Sequence, residues 1–89
     1  MDDQRAGYHA RSQQELIDFL NTDLDLGFTM LQTAVIADGQ AHIQQACSNV
    51  RNAIVTIRDL SRGVEDANIR AEIKDRVDRL DTALKEFAG

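Results

Sequence analysis

The sequence predicts an all-α protein, an antiparallel up-down-up three-helix bundle. Three observations lead there: proline is absent, aromatic residues are confined to Tyr8, Phe19, Phe28 and Phe87, and apolar residues recur at three- and four-residue steps in three separate stretches. Strands favour β-branched and aromatic side chains, whereas a three-four spacing keeps one face of a helix apolar.

Residues 1–11, MDDQRAGYHAR, carry a glycine and no apolar period, and are expected as a flexible N-terminal tail ahead of a single helical domain over residues 12–89. Ser12-Gln13-Gln14-Glu15 has the spacing of a capping box, so the first helix is expected over about residues 13–37. On a helical wheel Leu16, Ile17, Leu20, Leu24, Phe28, Leu31 and Val35 fall on one side, and Phe19, Leu26, Met30 and Ala37 form an adjoining stripe. Together they span roughly 200°, more than one neighbouring helix can cover. Gly27 lies within this arc and marks a close helix crossing or a bend.

Asp38-Gly39 ends the first helix, with Gly39 suited to the left-handed position after a C-cap. The second helix, about residues 41–62, repeats Ile43, Ala46, Cys47, Val50, Ala53, Ile54, Ile57 and Leu60 at helical steps, and Gly63 closes it. Asp66 or Asn68 can cap a third helix over about residues 67–87, whose stripe of Ile69, Ile73, Val77, Leu80, Leu84 and Phe87 is narrow. Its other faces hold the acid-first pairs Glu72/Arg76, Asp75/Arg79 and Asp81/Lys85, which read as solvation. Short connections make neighbouring helices antiparallel.

Size sets the next constraint. A domain of 89 residues buries only about 60–65% of the surface its unfolded chain exposes, so its stability margin is thin. Disulfides, a metal or a partner chain are the usual remedies. The single cysteine, Cys47, excludes an internal disulfide. No apolar run approaches the ~20 residues that span a bilayer, and no signal-peptide pattern opens the chain, so no membrane contact and a cytoplasmic location are expected. The net charge is −5, with two arginines against seven acids in residues 1–50 and eight bases against eight acids beyond. A nucleic-acid binder needs a basic face that neutralises phosphates, and this balance disfavours one.

Residues 27–57 resemble a tetratricopeptide-like helical hairpin. Ala34, Ala46 and Ala53 stand where that repeat places small packing residues, with Met30, Ala37 and Val50 at its larger positions. The repeat's tryptophan, tyrosine and closing proline are missing. The resemblance implies a protein- or peptide-binding scaffold.

Catalytic, cofactor and metal sites are expected to be absent. His9 and His42 have no ligand at helical spacing, and no second cysteine offers a thiolate pair. Cys47 sits on the apolar face of its helix and reads as a core residue. Asp23 and Asp25 diverge by about 200° on a helix and cannot share a proton or an ion. Arg51, Arg58 and Arg62 form a short basic stripe, diluted by Asp59. The most informative feature is the stripe of Phe19, Leu26 and Met30. Under a third helix it is core; uncovered, it is a protein interface. Val55 and Ile36 project away from the main arcs and add to that reading. The expectation is therefore a non-enzymatic protein-interaction module that binds itself or another chain. The alternative is a small regulatory or nucleic-acid-binding bundle using the three arginines and the bases of the third helix.

Overall fold

The computed structural model describes the backbone of residues 2–36 and 39–88, and the side chains of all of these but residues 2–10, 35 and 88. Three helices form it: α1 Asp2–Ile36, α2 Gln40–Ser61 and α3 Ala67–Ala88. Each packs against the other two, the three-helix bundle read from the sequence. Cross-helix pairs set the directions. Gln13 near the start of α1 meets the loop after α2, Arg58 of α2 meets Asp78 and Asp81 of α3, and Arg76 of α3 returns to Asn21 and Asp25 of α1. The chain therefore runs up, down and up.

The first helix departs from expectation at its start. Residues 2–11, read as a tail, have helical backbone, and Ser12 lies inside α1 rather than at its cap. Glu15, instead of turning back to the Ser12 amide, faces Arg11 at 3.7 Å. Nothing in MDDQRAGYHAR stops a helix: there is no proline, and Gln, Arg and Ala are good helix formers. At 1.5 Å per residue the 35 residues of α1 reach about 52 Å, against about 33 Å for the 22 residues of each other helix. The molecule is correspondingly long, 57 × 19 × 16 Å. The first turns of α1 run past the α2–α3 loop, which sits beside Gln13.

Asp66 caps α3 as its position suggests. Its Oδ1 accepts from the amides of Asn68 (2.9 Å) and Ile69 (3.2 Å), groups that no helical carbonyl reaches. Gly39 has φ 113° and ψ 128°, positive but outside the left-handed helical well, and its carbonyl accepts from Ile43 at the first turn of α2. Ala37 and Asp38 lie outside the described residues.

The core takes Leu20, Leu24, Leu31 and Ala34 from α1, Cys47, Val50, Ile54 and Ile57 from α2, and Ile73, Val77, Leu80 and Leu84 from α3. Val64, in the α2–α3 loop, is also fully buried. Its loop is fastened on both sides. The Gln13 side-chain amide donates to the Gly63 carbonyl and accepts from the Glu65 amide, each at 2.9 Å. Arg70 Nη1 donates to the Val64 carbonyl, also at 2.9 Å.

Gly27 marks the crossing of α1 with α3. A Cβ built there would lie 2.8 Å from Leu80 Cδ2, nearer than any ordinary contact, and Leu80 is fully buried. The glycine costs α1 up to about 1 kcal/mol of helix propensity. Crowding a filled core costs about 1–3 kcal/mol, so the steric effect wins. Gly27→Ala is therefore expected to lower stability by about 1 kcal/mol in the wild-type chain and to raise it in a Leu80→Ala background. Urea unfolding of the four chains checks this; equal effects in both backgrounds would show that the two residues are not coupled.

Candidate functional site

Among the described residues, two surfaces stand out once the core is built. The first is the stripe on α1. Phe19 is 48% exposed and Leu26 52% exposed, while Met30 is half-buried and packs against the core. The third helix does not sit on them. Arg76 anchors α3 to Asn21 Oδ1 and Asp25 Oδ1, both at 2.6 Å, and Leu80 fills the gap at Gly27, so α3 occupies a different side of α1. In place of the expected helical pair with Glu72, Arg76 makes this cross-helix link. Met30 forms one wall of a cleft of about 320 Å³ between α1 and α2, with Ala34, Ala46, His42, Gln45 and Asn49 around it. The stripe thus runs from open surface at Phe19 into a shallow groove at Met30. Ile36 and Val55 are exposed too, and Leu60 is exposed on α2.

The second surface is a cleft of about 510 Å³ between α2 and α3 at the loop end of the bundle. Arg58 and Arg62 line one wall, Arg70 and Lys74 the other, and Ala67, Ala71 and Val77 its apolar part. Of the arginine stripe seen in the sequence, Arg58 and Arg62 belong here, while Arg51 lies at the opposite end beside Cys47 and Phe87. Arg70 and Lys74 are brought in by the antiparallel register of α2 and α3, which helical spacing alone does not give.

Asp78 is the acid lining this cleft. Arg58 Nη2 donates to Asp78 Oδ1 at 3.0 Å and to Asp81 Oδ2 at 3.2 Å, and Lys74 Nζ donates to Asp78 Oδ2 at 3.2 Å. The bond from Arg58, with that from Lys74, holds the Asp78 carboxyl below its usual range. Burial pushes Asp81 up, and its bonds from Arg58 and Lys85 outweigh this, leaving it lowered. The Arg58 guanidinium is raised in turn, chiefly by Asp78. The Arg62 side chain has no hydrogen bond or ion pair among the described residues, its backbone N–H donating to the Asp59 carbonyl, and Arg70 spends one side-chain N–H on Val64. The arrangement leaves positive charge at the mouth of a partly apolar cleft.

The residues weighed for chemistry are dispersed. Cys47 is buried in the core, His42 is exposed at the α1–α2 cleft, and the His9 side chain lies outside the described residues. Asp25 is engaged by Arg76, while Asp23 is half-buried on another face. Among the described residues no group of three or more His, Cys, Asp and Glu side chains could hold a metal ion. No helix among them is long and apolar enough to cross a membrane. Comparison with protein-family profiles, with curated proteins and with solved structures returns no match.

The Arg58 cluster carries a pH dependence whose sign is fixed. Asp78 and Asp81 titrate lower in the folded chain than in the unfolded one, so their contribution is complete above the ordinary carboxylate range and is lost as the pH falls below about 4. Asp78→Asn is expected to lose less of its urea resistance between pH 6 and pH 3 than the wild-type chain does. An identical acid loss in both would show that Asp78 contributes nothing in solution.

Proposed function

We propose that this chain is a non-enzymatic helical interaction module, acting in the cytoplasm, that binds protein through the face of α1 bearing Phe19, Leu26 and Met30. The observation that carries this reading is the half-exposed pair Phe19 and Leu26 on a helix whose other apolar side is already filled. Large apolar side chains left open on one helix face are a common mark of an interface, and aromatic residues and methionine are favoured there. The chain's length supports the same reading, because burial against a second chain adds stability that a bundle of this size lacks. The likeness of residues 27–57 to a tetratricopeptide hairpin points the same way. Cys47, an unpaired thiol inside the core, suits a reducing compartment.

A second reading, a small regulatory or nucleic-acid-binding bundle, draws on the four cations gathered at the α2–α3 cleft. The engagement of Arg58 and Lys74 with Asp78 and the net charge of −5 count against it.

Sedimentation velocity up to about 1 mM chain, where an association of only about −4 kcal/mol still registers, tests the first reading. The wild-type chain is expected to associate, and Phe19→Ser with Leu26→Ser to weaken this at least about tenfold, near 1.4 kcal/mol. Exposed sites should leave stability within about 0.5 kcal/mol of wild type. Association that the double substitution leaves untouched would remove the stripe from the interface.

A further inference from the structure

We infer that the occupant of the α2–α3 cleft is the α1 face of a second copy of this chain, docked head to tail. This rests on the proposed role of the Phe19–Leu26 face and adds its partner. The face is not simply apolar. Glu15, Phe19, Asp23, Leu26 and Met30 follow one another at steps of four, four, three and four residues, a single ladder along α1 in which acids alternate with apolar side chains. The cleft carries the opposite pattern. Arg58 and Arg62 stand one turn apart on its α2 wall, Arg70 and Lys74 one turn apart on its α3 wall, and the small Ala67 and Ala71 leave room between them. A helix lying in that groove would set its apolar side chains over the alanines and Val77 and its acids beside the two walls.

Charge selects between the two ways of pairing copies. A two-fold contact of stripe on stripe would bring Glu15 and Asp23 of one chain against the same acids of the other, a like-charge arrangement. Head-to-tail docking instead matches those acids with Arg62, whose guanidinium has no partner among the described residues, and with Arg70, whose guanidinium gives one N–H to Val64 and has others to offer. The two faces lie on different sides of one bundle, so they cannot meet within a chain. Each docked copy presents another open face, and association proceeds as a chain or a ring.

The test uses the full chain in two variants. One lacks the stripe, Phe19→Ser with Leu26→Ser. The other has a disabled cleft, Arg62→Glu with Lys74→Gln, both exposed positions. Circular dichroism confirms the fold of each, and sedimentation reads assembly. The wild-type chain should form species larger than dimers and weaken at least tenfold as salt rises from about 0.05 M to about 0.5 M, because screening acts on exposed pairs. Each variant alone should be monomeric, and an equimolar mixture should yield a 1:1 dimer that grows no further, since it contains one working stripe and one working cleft. If the cleft variant assembles as the wild-type chain does while the stripe variant does not, the head-to-tail inference falls and the stripe reading stands. If the stripe variant assembles normally, both fall. A wild-type chain that is monomeric throughout overturns the inference and confines the stripe to a different partner, for which Phe19 and Leu26 remain the residues to change.

Discussion

The first helix has to serve two neighbours at once, and the remainder of the structure follows from how it does so. With no disulfide and 89 residues, the core must come from packing, and Leu20, Leu24 and Leu31 supply it from one helix to both others. Close approach is what makes this possible. At Gly27 the absence of a side chain lets Leu80 come against the α1 backbone, and Arg76 fixes the same two helices one turn away through Asn21 and Asp25. Once α3 is drawn to that side, it cannot also cover Phe19 and Leu26. The open stripe is thus the other face of the packing solution, not an accident of composition.

Charge is distributed in the same sense. The acids of α1 that are not drawn to Arg76, Glu15 and Asp23 among them, stay with the exposed stripe. Arg58, Arg62, Arg70 and Lys74 gather at the α2–α3 cleft, where Asp78 holds two of them without neutralising the rest. A chain with a net charge of −5 therefore still holds a local group of bases, which net charge alone conceals.

Much of this was readable from residue order, and what was not has a common cause. The number of helices, the turns at Gly39 and Gly63 and the cap at Asp66 are local, set by 3.6-residue periodicity and by what neighbouring backbone amides require. The start of α1 was misplaced because Ser12 and Glu15 form a pattern that suits a helix end yet is equally tolerated within a helix. Everything else depended on partners far along the chain. Arg76 bypasses Glu72 for Asn21, fifty-five residues away; Val64 is buried although it lies in a loop; Arg70 and Lys74 join Arg58 and Arg62 only because two helices run in opposite directions. The wheel placed Leu20, Leu24 and Leu31 on the side of α1 that the core takes. It could not say which part of that arc each neighbour would occupy.

Gln13 adds a local key to the register of α1 against the α2–α3 loop. Its amide presents a donor and an acceptor side by side, matched to the carbonyl of Gly63 and the N–H of Glu65. Slipping α1 by a single turn would bring Ile17 to that spot, which can do neither, or His9, whose ring nitrogens point apart. The helix is consequently keyed to the hairpin like a toothed rod in a rack. A push or twist applied to its projecting end therefore meets the α2–α3 bend at this paired contact, and sliding by a turn would cost both bonds.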